Sequence, residues 1–390
     1  MSVSFPTVRR NKAKGGLPGK KPGRPDGKPF AWKPVILIIC AIGLGSMLYL
    51  THMLLTGSAH LKVVASVPGG ELMATHSSGF VIARGGEVEL LGPGGTVCPL
   101  QGECERVIPS GPWIVGVASL SMRLIRPDTG ELQVETLPLA PGERPLPLFE
   151  GDMVVTYRPH PETKFGEPWY LRAVSAKGDD IWHTRVAYAP LFGTSHGSHL
   201  VMAAVDISGG GTPWVLCVSI HTGELLWQLP LGAGAWRHLA VSHDGKVRAV
   251  LDSCVYCLTS DGSEAWMYRP AGTIVSAVED FGITVVSVSK EIGGAMASLF
   301  GHAQVTALSP DGAILWDKKS MDSLPRLYAW DGRLILLESA KVMCLQRDTG
   351  KVVFSAKTDG YPIACAKDVI LVYKDKRFIL VDPGTSESVR

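Results

Sequence analysis

From residue 61 onward, the apolar residues of this chain come in short runs separated by turn-forming residues. No stretch long enough for a globular helix shows a 3.6-residue period, and short apolar runs bounded by turns are typical of β-strands. The pattern therefore predicts an all-β body. Eight apolar runs are predicted to open successive repeats: Phe80–Ala83, Trp113–Val117, Met153–Tyr157, Leu200–Val205, Val247–Leu251, Ile283–Val288, Leu334–Leu337 and Val369–Val372.

A second motif recurs after these runs: an apolar strand, a glycine turn, and a strand with an aromatic residue four positions after the glycine. In the clearest copy, the strand Val255–Leu258 is followed by Asp261-Gly262 and then by Trp266. Glycine suits such a turn because it adopts positive φ without a Cβ penalty. The constant offset predicts equivalent places for five pairs: Gly178 and Trp182, Gly223 and Trp227, Gly262 and Trp266, Gly312 and Trp316, and Gly350 and Phe354.

Weaker copies extend the array at both ends. Gly130 precedes Val134 at the aromatic position, Gly384 closes the last copy, and a degenerate first copy ends at Gly95. Successive glycines are separated by 34 to 50 residues, with a mean of about 41, which is the length of a four-stranded propeller blade. The sequence therefore predicts a single β-propeller of eight blades, or of seven if the first copy is not a repeat. A sandwich with unrelated hairpins would not explain the constant offset.

The two ends of the array predict how the ring closes. Only six residues follow Gly384, and they are too few and too polar for a fourth strand. The apolar segment Leu61–Val67 is predicted to fill that place, which would join both ends of the body in one blade and remove exposed strand edges. The longer spacings indicate insertions at Arg158–Glu167, Ser208–Thr212 and Lys290–His302. We expect these insertions to lie on one rim, where loops commonly contact partners.

The N-terminal region has a different pattern. Val35–Leu55 is a run of 21 residues without a formal charge, and as a helix it would be about 32 Å long, which matches the hydrocarbon core of a bilayer. Residues 1–33 contain nine Lys and Arg but one acidic residue, so this flank is expected to stay cytoplasmic. We predict a disordered basic tail over 1–33, a transmembrane signal anchor over 34–57 and an extracytoplasmic propeller over 58–390. A cleaved signal peptide is the alternative, although its apolar region is usually about 7–15 residues long.

Charge and cysteine content narrow the possible partners and chemistry. Beyond residue 60 the chain has 29 basic and 35 acidic residues, which argues against nucleic acid as a partner because phosphate binding needs a basic face.

The cysteines are predicted to be mostly structural. One repeat position is occupied by Cys217, Cys257 and Cys344, where other copies have alanine, and these three are predicted to be small buried side chains. Cys254 and Cys257 are expected to point to opposite faces of one strand. Cys98 and Cys104 have the spacing of a possible disulfide, and the sequence leaves that pairing open.

No group of residues predicts catalysis. His196 and His199 lie in a Gly- and Ser-rich segment, interpreted as a flexible loop, and two histidines without an evident third ligand do not make a metal site. Ser195 precedes His196, but nothing orients them as a nucleophile and base, and no nucleophile-elbow motif is present. The expectation is a protein that is not an enzyme, with no cofactor and no metal.

The repeated strand, Asp-Gly or Thr-Gly turn and tryptophan resemble the repeat of the PQQ-like (quinoprotein alcohol dehydrogenase-like) β-propellers. The resemblance covers residues 61–390, and within the class it is similar to the non-enzymatic, BamB-like branch of outer-membrane assembly factors. It implies that Trp182, Trp227, Trp266 and Trp316 pack between neighbouring blades. The enzymatic branch binds pyrroloquinoline quinone and calcium under a disulfide between adjacent cysteines, and this chain has no adjacent cysteines.

Two functions follow from the resemblance and the anchor. The first is a non-catalytic scaffold, single-pass in a bacterial cell membrane, that docks other envelope proteins. The second is a sensor whose central funnel binds a small molecule such as a quinone, or a metal. The BamB-like branch is lipidated, whereas this chain is predicted to be anchored by a helix, which favours a bacterium with a single membrane.

Overall fold

Thirty-two β-strands make up the regular structure of the described residues. The computed structural model describes residues 61–382 except 77, 86, 101–103, 111–112, 119, 128–131, 149–152, 160–167, 176, 290–301, 331 and 367–368. In these ranges no helix has the length and apolar composition needed to cross a membrane. The predicted segments 1–33 and 34–57 lie outside them.

The strands form eight antiparallel sheets of four strands each, numbered here as blades 1 to 8. Within each blade, the strands lie in the order in which they are given. Blade 1 contains β2 (Glu71–His76), β3 (Gly79–Arg84), β4 (Glu87–Leu91) and β5 (Val97–Pro99); blade 2 contains β6 (Arg106–Ser110), β7 (Trp113–Ala118), β8 (Ser121–Ile125) and β9 (Leu132–Pro138); blade 3 contains β10 (Arg144–Pro145), β11 (Val154–Pro159), β12 (Trp169–Val174) and β13 (Asp180–Val186); blade 4 contains β14 (Ala189–His196), β15 (His199–Asp206), β16 (Thr212–Ser219) and β17 (Leu225–Pro230).

The remaining blades follow the same order, and the last one is completed by the first strand of the chain. Blade 5 contains β18 (Trp236–Val241), β19 (Val247–Leu251), β20 (Val255–Leu258) and β21 (Glu264–Tyr268); blade 6 contains β22 (Thr273–Asp280), β23 (Ile283–Ser289), β24 (Ala303–Leu308) and β25 (Ile314–Ser320); blade 7 contains β26 (Arg326–Trp330), β27 (Arg333–Glu338), β28 (Lys341–Gln346) and β29 (Val352–Lys357); blade 8 contains β30 (Tyr361–Ala366), β31 (Val369–Lys374), β32 (Arg377–Asp382) and β1 (Lys62–Pro68).

Closure of the ring follows the predicted scheme. Strand β1 pairs antiparallel with β32, so that Val67 lies opposite Phe378 and Lys62 opposite Asp382. The Arg377 side chain donates hydrogen bonds to the Ser66 hydroxyl at 2.9 Å and to the Ser66 carbonyl at 3.1 Å. The predicted all-β propeller with eight blades is confirmed, and the segment near residue 61 supplies the missing strand.

The core is divided among the blade interfaces. The described buried apolar residues form eight clusters, and each cluster combines side chains of two neighbouring blades. The second strand of a blade is buried on both of its faces. In β23 of blade 6, Val285 belongs to the apolar cluster between blades 6 and 7, and the next residue, Val286, belongs to the cluster between blades 5 and 6. Burial on both faces explains their continuous apolar runs.

The prediction that these runs open the repeats is wrong. All eight are second strands, and an inner strand precedes each of them. The inner strands are only partly buried, as in β18 and β22, so their composition is mixed and their pattern is weak.

Each blade has two ends, and different turns and connections lie at each end. Because neighbouring strands are antiparallel, the turns between first and second strands and between third and fourth strands lie at one end, here called the turn face. The turns between second and third strands and the connections between blades lie at the other end, the loop face. All three predicted insertions connect second to third strands, in blades 3, 4 and 6. They therefore start and end on the loop face, as expected for one rim.

On the turn face, a tryptophan of each of four blades contacts the glycine turn of the next blade. The indole Nε1 of Trp227 donates a hydrogen bond to the Ser260 carbonyl at 2.8 Å. A Cβ placed on Gly262 would lie 2.7 Å from the Trp227 ring, and Gly262 has a φ of +86°. The same arrangement joins Trp182 to Ile220 and Gly223, Trp266 to Pro310 and Gly312, and Trp316 to Arg347 and Gly350.

The remaining repeat residues fall into three groups. Phe354 packs in the cluster between blades 7 and 8. Gly178 has a φ of +90° in its turn, whereas Gly130 and Gly384 lie outside the described residues. At the closure Ala65 stands in the aromatic position, and a Cβ on Gly95 would lie 2.2 Å from its Cβ.

A small residue lies directly across from each aromatic side chain. The cross-strand pairs are Ala173 with Trp182, Cys217 with Trp227, Cys257 with Trp266, Ala307 with Trp316, and Cys344 with Phe354, and a β-bulge follows each pair. Burial raises the pKa of the Cys217 thiol to about 12, so this cysteine behaves as a small apolar residue rather than as a nucleophile.

Arg248 departs from the pattern of the second strands. It lies across from Cys257, at the position where Val155, Val201 and Val285 lie in other blades. Its side chain is 0% exposed and reaches toward blade 6, where the Gly282 and Pro310 carbonyls accept hydrogen bonds at 3.5 and 3.4 Å. The guanidinium lies 5.2 Å from the Trp266 ring centroid, and Nε has no acceptor among the described residues. A buried cation with incomplete hydrogen bonding costs free energy.

We predict that Gly262→Ala destabilises the fold by about 1–3 kcal/mol more than Gly245→Ala, because only the first substitution places a methyl group against an indole. Gly245 is the matched control, since its φ is +78° and the nearest atom to an added Cβ is 3.9 Å away. Thermal unfolding of both full-length variants measures the difference. Equal losses would show that backbone strain, and not the Trp227 contact, sets the cost.

We predict opposite outcomes for two substitutions of Arg248. Arg248→Met keeps an unbranched side chain that replaces most of the arginine stem and removes the buried charge, so stability should stay within about 1 kcal/mol or increase. Arg248→Ala leaves a cavity and should cost about 2–5 kcal/mol. The measurement is the free energy of unfolding of each variant. If the methionine variant loses as much as the alanine variant, the guanidinium itself stabilises the interface.

Candidate docking site on the loop face

The connection from blade 6 to blade 7 is held rigidly by a buried carboxylate. The hydroxyl of Ser320, which is fully buried, donates a hydrogen bond to Glu338 Oε1 at 2.6 Å. The same oxygen accepts a longer hydrogen bond from the Met321 backbone N–H, at 3.3 Å. In turn, the Ser320 hydroxyl accepts a hydrogen bond from the Asp322 backbone N–H at 3.1 Å. The start of the connection therefore has a defined conformation.

Asp322 fixes the rest of the connection. Its Oδ2 accepts hydrogen bonds from the backbone and hydroxyl of Ser339 at 2.7 and 2.6 Å, and Oδ1 accepts one from the Leu324 backbone at 3.0 Å. Burial by itself would raise the pKa of Asp322, but hydrogen bonds from Ser339, Leu324 and Ser323 outweigh it and lower that pKa. The ionised form of Asp322 is therefore the one that holds the connection.

This connection presents two large apolar side chains to solvent. Met321 is 75% exposed and Leu324 is 64% exposed. Because the backbone of the connection is already ordered, a partner that covers these side chains does not have to order it, and the cost of binding is limited to the side-chain rotamers. The two residues have the character of binding anchors.

Two exposed tyrosines lie at the same end of blade 8. Tyr361 and Tyr373 are directly opposite each other on β30 and β31, and both are exposed. Tyr373 also packs edge-on against Phe378, with ring centroids 5.6 Å apart. The Arg326 side chain, two residues beyond Leu324, donates a hydrogen bond to the Ile363 carbonyl of β30. This bond ties the connection to blade 8, and Met321, Leu324, Tyr361 and Tyr373 are called here the loop-face patch.

Basic residues surround the loop-face patch. Lys374 Nζ donates a hydrogen bond to Asp359 Oδ2 at 2.5 Å, and this bond is the main cause of a raised Lys374 pKa. The next turn, Asp375-Lys376, has positive φ at both residues, a conformation that costs about 1–2 kcal/mol for a residue with a side chain. Six basic residues begin, end or connect strands on the loop face of blades 7 and 8: Arg326, Lys341, Lys357, Lys374, Lys376 and Arg377. The same end of these blades and the connection before them carry four acidic residues, Asp322, Glu338, Asp359 and Asp375. The balance of formal charge there is therefore positive by two, whereas the body as a whole is acidic.

The histidines predicted to lie in a flexible loop are on strands. His196 ends β14 and His199 begins β15, and they lie directly opposite each other across a two-residue turn. This part of the prediction is wrong, because the Gly197-Ser198 turn makes a hairpin and not a loop. The His196 ring is 6.4 Å from that of His243, and Ser195 is buried.

The cysteines lie in apolar surroundings. The pairing that the sequence left open is not present, since no disulfide joins Cys98 to Cys104, and both residues pack against the cluster between blades 1 and 2. Cys254 belongs to the cluster between blades 4 and 5, whereas Cys257 faces Arg248 on the other side of the sheet. The two thiols of this CxxC segment thus point to opposite faces.

Metal-ligating side chains do not form a cluster within the residues that the structure describes. Across the described part of residues 61–382, no three His, Cys, Asp or Glu side chains converge to hold a metal ion. The chain also lacks the adjacent cysteines that the enzymatic propellers place over the quinone.

The loop-face patch was not found by sequence reasoning. Met321 and Leu324 lie in a polar segment between repeats, Ser320-Met321-Asp322-Ser323-Leu324-Pro325. Two large apolar residues where turn residues are expected were the available signal. The tyrosines gave no comparable signal, because they are part of ordinary strands.

The chain is similar to known proteins in structure, whereas its sequence does not match a known family. No family model and no curated protein matches the chain. BamB from Moraxella catarrhalis is similar over 83% of this chain and 100% of its own, with 13% identity and a TM-score of 0.53. Saccharomyces cerevisiae Sqt1 is similar over 84% of this chain and 99% of its own, with 10% identity and a TM-score of 0.56.

An enzyme is among the similar structures. Quinohemoprotein alcohol dehydrogenase from Comamonas testosteroni is similar over 84% of this chain and 77% of its own, with 10% identity and a TM-score of 0.54. At such low identities the likeness concerns the fold, and it does not choose between a catalytic and a non-catalytic role. The chain is an eight-bladed β-propeller whose fold is similar to those of BamB, Sqt1 and the quinohemoprotein dehydrogenase.

Proposed function

We propose that this protein is a membrane-anchored, non-catalytic scaffold that docks a protein of the bacterial cell envelope through the loop-face patch. The proposal rests on one observation about the connection between blades 6 and 7. Hydrogen bonds to Glu338 and Asp322 fix the backbone of this connection, and Met321 and Leu324 on it are exposed to solvent. Exposing large apolar side chains on an ordered backbone has no role in folding, whereas it suits a binding surface with central anchors.

The surroundings of the patch specify the chemistry of the partner. Interfaces combine a central apolar region with a polar rim, and here the rim is rich in Lys and Arg. A complementary surface therefore carries apolar side chains that cover the patch and acidic residues around them. Opposite charges at the rim increase the association rate and exclude basic partners.

The path of the chain is compatible with a membrane anchor. In this proposal residues 34–57 form the anchor, with residues 1–33 in the cytoplasm and the propeller outside. The chain enters blade 8 at Lys62, on the turn face, next to Asp382. The two tyrosines of the loop-face patch lie at the opposite end of that blade.

We predict that a photo-crosslinking residue at position 321 captures one reproducible envelope protein in cells. The same probe at Leu226, an exposed apolar residue on the outer strand of blade 4, should not capture it. Met321→Ser combined with Leu324→Ser should lower the crosslinked yield about tenfold or more, because binding anchors contribute most of the affinity. Equal capture from positions 321 and 226 would contradict the proposed site.

The charge of the partner has its own test. Lys374→Glu combined with Lys376→Glu should weaken capture and reverse its dependence on salt, since attraction at the rim is screened by ions. Lys177→Glu, an exposed turn residue of blade 3, is the control for a change in net charge. An effect of the same size in the control would point to general repulsion instead of a basic rim.

The anchor is tested separately by fractionation. We predict that the full-length protein stays in the membrane pellet after carbonate extraction and that deletion of residues 1–57 releases the propeller, because the deletion removes the uncharged run at 35–55. Mass spectrometry of the mature N-terminus is the control. A mature chain that begins near residue 58 would support a cleaved signal peptide.

A further inference from the structure

An exposed aromatic ring lies on the turn between the first and second strands of blade 6. Two residues, Phe281 and Gly282, connect β22 to β23, and both have positive φ, +48° and +82°. Asparagine, aspartate and glycine are the usual first residues of such a two-residue turn, because a bulky side chain destabilises the left-handed backbone. The turn is ordered, since Glu279 Oε1 accepts a hydrogen bond from the Gly282 backbone N–H at 2.6 Å. Phe281 is 73% exposed, so burial of its ring does not compensate for the cost of its backbone.

A neighbouring arginine holds the Phe281 ring on one side. The guanidinium of Arg347, from blade 7, lies 5.1 Å from the centroid of the ring. Two carboxylates fix this guanidinium, because one oxygen of Asp280 and one of Asp348 each lie 3.0 Å from an Arg347 nitrogen. The backbone of Arg347 is held as well, since its carbonyl accepts the hydrogen bond of the Trp316 indole at 2.6 Å. A cation over an aromatic ring attracts it, so the ring has a defined position although it is exposed.

This combination distinguishes Phe281 from other exposed apolar residues. An isolated exposed apolar side chain is ordinary on a protein surface, but here the backbone beneath the ring is strained and the ring is held in place. The turn is not one of the glycine turns that contact a tryptophan of the preceding blade, so the ring does not take part in that packing. Strained residues on an ordered backbone are concentrated at binding sites. A turn at the inner strand also lies toward the middle of the turn face, and interface anchors cluster near the centre.

The turns around Phe281 have an acidic balance. On the turn face of blades 4 to 7, we compared the described charged residues that are not buried and lie within two residues of a turn. Eight are acidic and four are basic, namely Glu224, Asp244, Asp261, Glu264, Glu279, Asp280, Asp311 and Asp348 against Lys246, Arg333, Arg347 and Lys351. The balance of formal charge is therefore negative by four, opposite in sign to the balance around the loop-face patch. Such a surface attracts basic partners and repels acidic ones.

We propose that Phe281 is the anchor of a second docking site, on the turn face, for a segment of another protein that carries an apolar side chain among Lys or Arg residues. The apolar side chain covers the exposed ring, and its basic neighbours meet the acidic turns, as the core and rim of an interface do. A bilayer surface fits less well, because its anionic headgroups attract basic and not acidic segments. The proposal does not depend on the loop-face patch, which lies at the opposite end of the blades.

The first experiment titrates the full-length protein with three short peptides of equal length at low salt and follows binding by calorimetry. One peptide has a central leucine flanked by lysines, the second has serine in place of the leucine, and the third has glutamates in place of the lysines. The leucine and lysine peptide should bind about fivefold more tightly than the serine peptide and at least about tenfold more tightly than the glutamate peptide, since each of these lacks one element of the proposed recognition. Equal affinities for the leucine and serine peptides, or no binding at several millimolar, would overturn the proposal.

Variants connect the preference for leucine to Phe281. Phe281→Asn should abolish this preference, whereas its unfolding midpoint should stay unchanged or rise, because asparagine tolerates the left-handed backbone. Phe281→Tyr, which keeps an aromatic ring, should retain the preference. Leu120→Asn is the matched control, since Leu120 is 59% exposed on the loop face of blade 2, and this variant should bind all three peptides as the unchanged protein does.

Three results would contradict the assignment even when the peptides bind. A preference for leucine that persists in Phe281→Asn would place the apolar contact elsewhere. A lower unfolding midpoint of this variant would show that Phe281 stabilises the fold instead. The third result concerns a membrane and uses Phe281→Trp in vesicles of brominated phosphatidylcholine. Quenching of the added indole fluorescence by this lipid would assign the ring to a bilayer surface and not to a protein segment.

Discussion

The contact between an indole and the glycine turn of the next blade is the constraint on which this structure depends. A single four-stranded sheet cannot bury both of its faces, so each blade needs a neighbour on either side. Trp227 lies against Gly262 and Trp266 against Gly312, and each indole N–H also bonds a carbonyl of the following turn. This contact joins neighbouring blades at four of the eight interfaces, from blade 3 to blade 7, and an apolar cluster fills every interface of the ring.

The same constraint separates the roles of the two faces. The turn face carries the glycines and indoles, and its geometry repeats because an added side chain would collide with a ring. The loop face is free of this restriction, and it contains the insertions and the connection with Met321 and Leu324. Variation in a ring of repeats therefore concentrates where packing tolerates it, which is also where a partner can bind.

At two interfaces between blades, polar or charged residues replace the apolar residues that fill the other interfaces, and the two replacements have different structural effects. Between blades 5 and 6, Arg248 replaces an aliphatic residue and is enclosed by carbonyls and the Trp266 ring, so the interface stays closed. Between blades 2 and 3, Thr156 and Arg172 replace core residues and a cavity opens. The first departure buries a charge within a closed interface, whereas the second leaves a cavity of about 610 Å³.

The sequence by itself determined the repeat, the eight blades, and closure by the segment near residue 61, because these follow from local turn chemistry and from spacing. It did not reveal the inner strands, whose partial burial blurs their pattern, nor the hairpin at His196. The loop-face patch and the cavity required the tertiary structure. The Arg326 side chain reaches the Ile363 carbonyl only through the packing of blade 8 on blade 7, and Arg172 joins Glu143 to Asp180 only across a folded sheet. Contacts between residues distant in sequence arise from the packing of blades, which no local pattern encodes.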